Sequence, residues 1–72
     1  IGGIVELPKG RSVFTYHIGD YHSIYRAYER ILEHCRINRL TIASDSYEFA
    51  INDYLSTSKE SEYITKIMFY IE

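Results

Sequence analysis

Glu48 is the carboxylate in this sequence whose neighbours suggest a binding role. It lies between Tyr47 and Phe49 in a segment of strand-like alternation, which places it on the side opposite those two rings. If that side of the sheet is covered, the carboxylate is partly desolvated and favours a cationic partner over water. The alternative is that Glu48 is a solvated glutamate that only keeps an exposed face of the strand polar, which is a common role for this residue type.

Tyrosines are the second chemical signal, because the chain has eight of them against three phenylalanines and no tryptophan. A tyrosine offers a flat apolar face, a polar tip and a surface for cation–π contact. Aromatic walls around one carboxylate suit a bulky aromatic cation. Tyr28 falls on the apolar stripe of a predicted helix and is assigned to the core. Tyr21, Tyr25 and Tyr63 lie near element ends or off that stripe, so we predict that they contact the ligand.

Other kinds of site find no support in the residue spacing. His17, His22 and His34 lack metal-ligand spacing, and Cys35 lies on the apolar helix face, where a buried and inert thiol is expected. No nucleophile–base pair and no Gly-rich phosphate loop is visible. We therefore predict no metal, no cofactor and no catalytic residues, and the class of enzymes is disfavoured.

Composition limits the class of protein. Seventy-two residues form one domain at most, and a domain this small usually needs a partner or a covalent or metal staple. A single cysteine excludes an intrachain disulfide, which favours a cytoplasmic location. The formal net charge of −2 argues against unaided nucleic-acid binding, and no apolar run is long enough to span a bilayer. The start Ile-Gly-Gly-Ile-Val-Glu-Leu, without an initiator Met, suggests a fragment of a larger chain.

The first half of the chain contains the elements that position these residues. A short strand at Ile4-Val5 and a turn at Pro8-Lys9-Gly10 precede a strand over residues 11–18. A helical stripe follows, formed by Ile24, Ala27, Tyr28, Ile31, Leu32 and Cys35. Asp20, His22 or Ser23 are candidate caps for its start, and Asn38 is the predicted stop.

The second half predicts two more strands. Residues 47–52 alternate as a strand, residues 52–60 form a polar and mobile loop, and residues 62–71 form the last strand. The expected fold is α+β, an antiparallel sheet of three to four strands with one helix packed on one face. The side opposite the helix, with Ala50, Ile64, Met68 and Tyr70, is too apolar for free solvent. It predicts a second layer, which is a ligand, another module or a second copy.

Two groups of short motifs follow one another along the chain. At the helix entry these residues are His17-Ile18-Gly19-Asp20-Tyr21, Ile24, Ala27-Tyr28 and Leu32. Downstream they are Tyr47-Glu48, Asn52-Asp53, Thr57 and Ile64-Thr65-Lys66-Ile67. Together and in this order, these motifs resemble the GyrI-like effector-binding domain, the multidrug-sensing domain of MerR-type and AraC-type transcription regulators. The resemblance extends over residues 7–71 and depends on the order of the motifs.

The resemblance implies a fold and a site. The complete domain of that family is a tandem of two strand-helix-strand-strand modules with an aromatic ligand cleft between them, and this chain resembles the second module only. Glu48 matches the ligand-binding glutamate of the family, and Tyr21, Tyr25 and Tyr63 are the nearest matches to its aromatic cleft residues. Lys66 stands where many relatives carry a second acid, so it is expected to neutralise Glu48 or to narrow the charge preference of the cleft.

The sequence therefore predicts a sensor module that binds amphipathic aromatic, cationic compounds. Two alternatives remain open: a small hydrolase with Glu48 as base beside a tyrosine donor, and a protein-interaction module of the gyrase-inhibitor type. The isolated module is expected to self-associate, because two copies could imitate the tandem, or else to pair with a first module.

Overall fold

One helix lies on one face of a four-stranded antiparallel sheet. The computed structural model describes residues 2–72, with side chains from Gly3 onward. The elements in chain order are β1 (Gly2–Leu7), β2 (Gly10–Ile18), a 3₁₀-helix (Tyr21–Ser23), α1 (Tyr25–Ile37), β3 (Tyr47–Asn52), a second 3₁₀-helix (Glu60–Glu62) and β4 (Ile64–Tyr70). The predicted α+β class is confirmed. None of the helices in residues 2–72 has the length and apolar character needed to cross a membrane.

The sheet has the order β1-β2-β4-β3, so β2 and β4 are central and β1 and β3 are its edges. The leading strand is longer than the predicted Ile4-Val5 pair, because it pairs with β2 along its full length, from Gly2 opposite Thr15 to Leu7 opposite Gly10. The last strand begins at Ile64 rather than at Glu62, which ends a 3₁₀-helix. The intervening polar segment is internally hydrogen-bonded: the side-chain amide of Asn52 donates to the Glu62 carbonyl at 2.7 Å.

The core lies between α1 and the two central strands. Its buried members are Val13, Ala27, Ile31, Cys35, Ile67, Phe69 and Ile71. Ala27 and Ile67 have no exposed surface, which confirms that the predicted stripe faces the sheet. Burial raises the pKa of the Cys35 thiol, as expected for an inert cysteine. Leu32, predicted on the stripe, is instead 46% exposed, because it flanks the line of Ala27, Ile31 and Cys35 that meets the sheet.

Side-chain and backbone hydrogen bonds define the ends of the helical segment. Of the three candidate caps, Asp20 accepts the Ser23 backbone N–H at 2.9 Å and caps the first 3₁₀-helix, which leads directly into α1. Asn38 is the C-cap of α1, as predicted. The next residue, Arg39, has a φ of 55°, and the Leu40 N–H donates to the Cys35 carbonyl at 2.8 Å. This is a Schellman motif with arginine in the position that glycine usually occupies.

The register of β3 corrects the predicted sides of the sheet. Glu48 pairs with Ile67 and Ala50 pairs with Thr65, so both lie on the face that α1 covers and not on the opposite one. Alternation shows which residues of a strand share a face, but the pairing register decides which face meets the helix. The prediction that Ala50 lies opposite the helix was therefore wrong, whereas Glu48 does lie on the side opposite Tyr47 and Phe49.

We call the side of the sheet away from α1 the far face. Its side chains are Val5, Leu7, Ser12, Phe14, Tyr16, Ile18, Tyr47, Phe49, Asn52, Ile64, Lys66, Met68 and Tyr70, assigned from strand alternation and register. Phe14 and Tyr16 form one edge-to-face pair with ring centroids 5.8 Å apart, and Tyr47 and Tyr70 form another at 5.8 Å. The expectation of an apolar uncovered face is confirmed, and this face is more aromatic than predicted.

Candidate functional site

Glu48 receives two phenolic hydrogen bonds at the rim of the helix-covered face. The Tyr21 hydroxyl donates to one carboxylate oxygen, Oε1, and the Tyr28 hydroxyl donates to the other, Oε2. The three residues come from β3, the first 3₁₀-helix and α1. Tertiary folding thus brings one acid and two tyrosines, separated by 20 and 27 residues in the sequence, into direct contact.

Tyr28 is positioned by the core. Its half-buried ring packs edge-to-face on Phe69 with centroids 6.1 Å apart, and its hydroxyl lies 3.1 Å from the Ser46 hydroxyl. The assignment of Tyr28 to the core is right for the ring, but the hydroxyl belongs to the Glu48 site. A tyrosine on an apolar stripe is itself a signal, because a buried phenol needs a partner for its O–H.

Tyr21 is positioned by the capped turn before the helix. It is 59% exposed and directly follows Asp20, whose side chain caps this turn. The hydrogen bond to Glu48 raises the pKa of Tyr21 to about 12, with further contributions from burial and from the charges of Glu48 and Tyr28. The pKa of Tyr28 is raised mainly by burial and then by its bond to Glu48. Both phenols therefore remain neutral hydrogen-bond donors at neutral pH.

Tyr25 and Tyr63 lie away from these hydrogen bonds. Tyr25 begins α1, is exposed, and accepts a hydrogen bond from Nε of Arg26 at 3.4 Å. Tyr63 is half-buried and precedes β4, where its carbonyl accepts the Gly19 N–H at 2.8 Å. Within residues 3–72, the side-chain donors to Glu48 are Tyr21 and Tyr28.

Lys66 lies on the far face, across the sheet from Glu48. Its ammonium group is 4.8 Å from the centroid of the Phe14 ring, and its neighbours in the sheet are Tyr16 and Phe49. The expectation that Lys66 neutralises Glu48 is therefore wrong. The physical reason is alternation: Glu48 pairs with Ile67, and the residue next to Ile67 must point to the other side.

The Glu48 site lies at the exposed surface. It is separate from two cavities of about 240 and 360 Å³, neither of which is lined by Glu48. Among the described residues, no three His, Cys, Asp or Glu side chains are grouped so that they could hold a metal ion. The arrangement offers a fixed carboxylate with two aromatic rings beside it, which suits recognition of an organic cation from the exposed side.

Comparison with known proteins identifies the family. The model of the GyrI-like small molecule binding domain matches residues 2–72. No curated protein and no solved structure matches this chain. The match extends over nearly the whole chain and agrees with the α+β fold. The chain belongs to the GyrI-like small molecule binding domain family, and it is a ligand-binding module.

Proposed function

We propose that this chain is the ligand-sensing module of a cytoplasmic bacterial transcription regulator of the MerR or AraC type. In this proposal it is the second of two strand-helix-strand-strand modules and binds amphipathic aromatic cations. Family membership supports the binding of small molecules. The resemblance to effector-binding domains of such regulators supports the remainder, and the DNA-binding part lies outside these 72 residues.

The observation that carries the proposal is the Glu48 carboxylate held between two neutral phenols. Glu48 is exposed, so a ligand can reach it, while the bonds from Tyr21 and Tyr28 restrict its rotamers and keep it in one position. A pre-positioned charge loses less entropy on binding than a free side chain does. The rings beside it add stacking, which tolerates ligands of different shape.

A charge-matched pair of ligands tests this proposal. N-methylacridinium carries a permanent positive charge, whereas acridine is a neutral molecule of nearly the same shape at a pH of about 8. We expect the cation to bind more tightly, and Glu48→Gln to weaken its binding by about tenfold or more, the cost of losing one charge-assisted contact. Acridine should bind Glu48→Gln and the unmodified chain equally. Calorimetric titration measures both affinities.

The matched control is Glu29→Gln, which removes an exposed carboxylate from α1. Its affinity for N-methylacridinium should stay within about twofold of the original, since a solvent-exposed charge outside the site contributes little. Equal loss in both variants would mean that overall charge, not the Glu48 site, attracts the cation.

A second candidate, hydrolysis of a reactive electrophile, is favoured by one observation only, the proximity of Tyr21 and Tyr28 to Glu48. Against it, both hydroxyls already donate to the carboxylate that would have to act as base. Hydrolysis of an epoxide by this chain, lost in Glu48→Gln, would support an enzymatic function. Stoichiometric binding without product would support the sensor.

We further propose that a second copy of this chain covers the far face when a first module is absent. Lys66 is the single formally charged side chain among the far-face residues, and its ammonium group rests on the Phe14 ring. Tyr47 and Phe49 remain 46% and 45% exposed there. Burial of such rings against an equivalent face removes apolar surface from water, and Lys66 is the one charge that each copy brings to the interface.

Sedimentation velocity tests this self-association. The chain should dimerise with rising concentration, and Phe49→Asp should weaken the dimer by about tenfold or more, because it buries a charge at the interface. Leu55→Asp is the control, since Leu55 is 80% exposed in the loop after β3 and outside the far face. A folded monomer at all concentrations would refute the proposal, and a dimer unchanged in Phe49→Asp would refute this interface.

A further inference from the structure

The larger cavity lies beside the N-terminal half of α1, at a place that the Glu48 site does not use. It has a volume of about 360 Å³ and is lined by Tyr16, His17, Ile18, Ser23, Arg26 and Arg30. These residues come from the end of β2, the first 3₁₀-helix and α1. The lining contains two arginines, a histidine and a hydroxyl, and no carboxylate.

Arg26 and Arg30 are one helical turn apart and line the same cavity. One N–H of Arg30 donates to the Tyr16 carbonyl at 3.0 Å, which holds this guanidinium against β2, and Nε of Arg26 donates to Tyr25 at 3.4 Å. Each guanidinium carries five N–H donors, so most of them remain available. Within residues 3–72 the salt bridge is that of Arg36 with Glu33, and neither Arg26 nor Arg30 takes part in one. Like charges at this spacing repel, and an anion between them would relieve the repulsion.

The inner wall adds a second set of polar groups. His17 is 5% exposed, and its Nε2 lies 2.7 Å from the Asp20 carbonyl oxygen, which only accepts, so Nε2 carries the proton. The Ser23 hydroxyl lies 3.1 Å from that nitrogen and 3.1 Å from the same carbonyl. In the structure the Ser23 hydroxyl donates to this carbonyl, and it can turn to donate to a ligand in the cavity because Nε2–H also serves the carbonyl.

Two carboxylates, Asp20 and Glu29, are close to Arg26. The hydrogen bond to Tyr25 is the largest cause of the raised pKa of Arg26, and the charges of Glu29 and Asp20 raise it further. Asp20 is engaged by the Ser23 backbone N–H. Neither carboxylate lines the cavity, so they reduce its positive potential without occupying the space between the two guanidinium groups.

We propose that this cavity binds the phosphoryl group of a small phosphate monoester. A phosphate monoester presents three terminal oxygens and a charge near −2, which matches two guanidinium groups and one hydroxyl. A carboxylate has one charge and two oxygens and would satisfy one arginine. The cavity does not include Glu48, so the proposal of phosphate binding does not depend on the proposed cation binding.

Titrations monitored by NMR test the proposal. The probes are inorganic phosphate, phenyl phosphate and benzoate, added at constant ionic strength and at about pH 8, where a phosphate monoester is dianionic. The Nε–H signals of Arg26 and Arg30 should shift together and saturate with phenyl phosphate, more weakly with inorganic phosphate, and least with benzoate. If benzoate binds as tightly as phenyl phosphate, the cavity does not select a phosphoryl group. If inorganic phosphate binds as tightly as phenyl phosphate, the cavity does not select a monoester.

Arginine variants distinguish binding in this cavity from a general attraction of anions to positive charge on the protein. Arg26→Gln should weaken phenyl phosphate by about tenfold, the effect of losing one charge-assisted contact. This variant is preferred to Arg30→Gln, which would also break the bond to the Tyr16 carbonyl. Arg36→Gln should leave the affinity within about twofold. Shifts that do not saturate, or equal losses in Arg26→Gln and Arg36→Gln, would overturn the site.

Discussion

Ile67→Ala is expected to lower the free energy of unfolding by about 3–4 kcal/mol, because it opens a cavity in a core that cannot fully collapse around it. Ile67 has no exposed surface, lies in the middle of the central strand β4 and belongs to the cluster that packs on α1. A domain of this size is stabilised by about 4–11 kcal/mol in total. The loss would therefore take a large part of its stability, and urea denaturation measures it.

Ile51→Ala is the matched control for this truncation. Ile51 is 55% exposed in the edge strand β3, so the same change there should cost less than about 1 kcal/mol. If Ile67→Ala does not fold, Ile67→Val gives a second measurement, with an expected loss of about 0.5–1.5 kcal/mol. Equal losses at positions 51 and 67 would contradict the placement of the core between β4 and α1.

Glu48→Gln is expected to return the pKa of Tyr21 from about 12 towards its ordinary value of 10.0. The hydrogen bond to the carboxylate is the largest cause of the raised pKa, and an amide accepts more weakly and carries no charge. NMR titration of ring-labelled tyrosine follows Tyr21 individually, with Tyr21→Phe to assign its signal. Glu29→Gln should leave the pKa of Tyr21 at about 12, and a similar fall in that variant would contradict the contact.

The raised pKa also predicts how stability depends on pH. In the unfolded chain Tyr21 ionises near 10, while in the folded chain it keeps its proton up to about 12. Its contribution is therefore complete below pH 10 and is lost as the pH rises from about 10 to about 12. In Glu48→Gln this alkaline loss of stability should be smaller. Tyr28, whose pKa is also raised, contributes in the same direction.

The helix and the strands follow from local patterns in the sequence. Apolar residues at helical spacing predict α1, and Asn38 predicts its end. Of the three candidate caps, Asp20 caps the 3₁₀-helix that precedes α1, and α1 itself begins after Ile24 without a side-chain cap. Alternation predicts the strands. The leading strand was underestimated because its length is decided by pairing with β2, which is not a local property.

The sequence indicated two of the residues that meet at the candidate site, but not how their side chains are arranged. Glu48 and Tyr21 were singled out as ligand contacts, and the structure places them in direct contact. The hydroxyl of Tyr28 was missed, because periodicity describes where a side chain points but not what its far end reaches. The roles of all five predicted residues as ligand contacts remain predictions: Glu48, Tyr21, Tyr25, Tyr63 and Lys66.

The sequence by itself determined the α+β class, the apolar stripe of the helix, the capped turn before it and the family. Each of these depends on residues a few positions apart or on the order of short motifs. Only the tertiary structure decided that Glu48 faces α1 while Lys66 faces the far side, and that two arginines share a cavity with Ser23. A shift of one residue in the pairing of β3 with β4 would exchange the two faces of β3, so the register of distant strands, rather than the pattern within any one of them, determines where the charges lie.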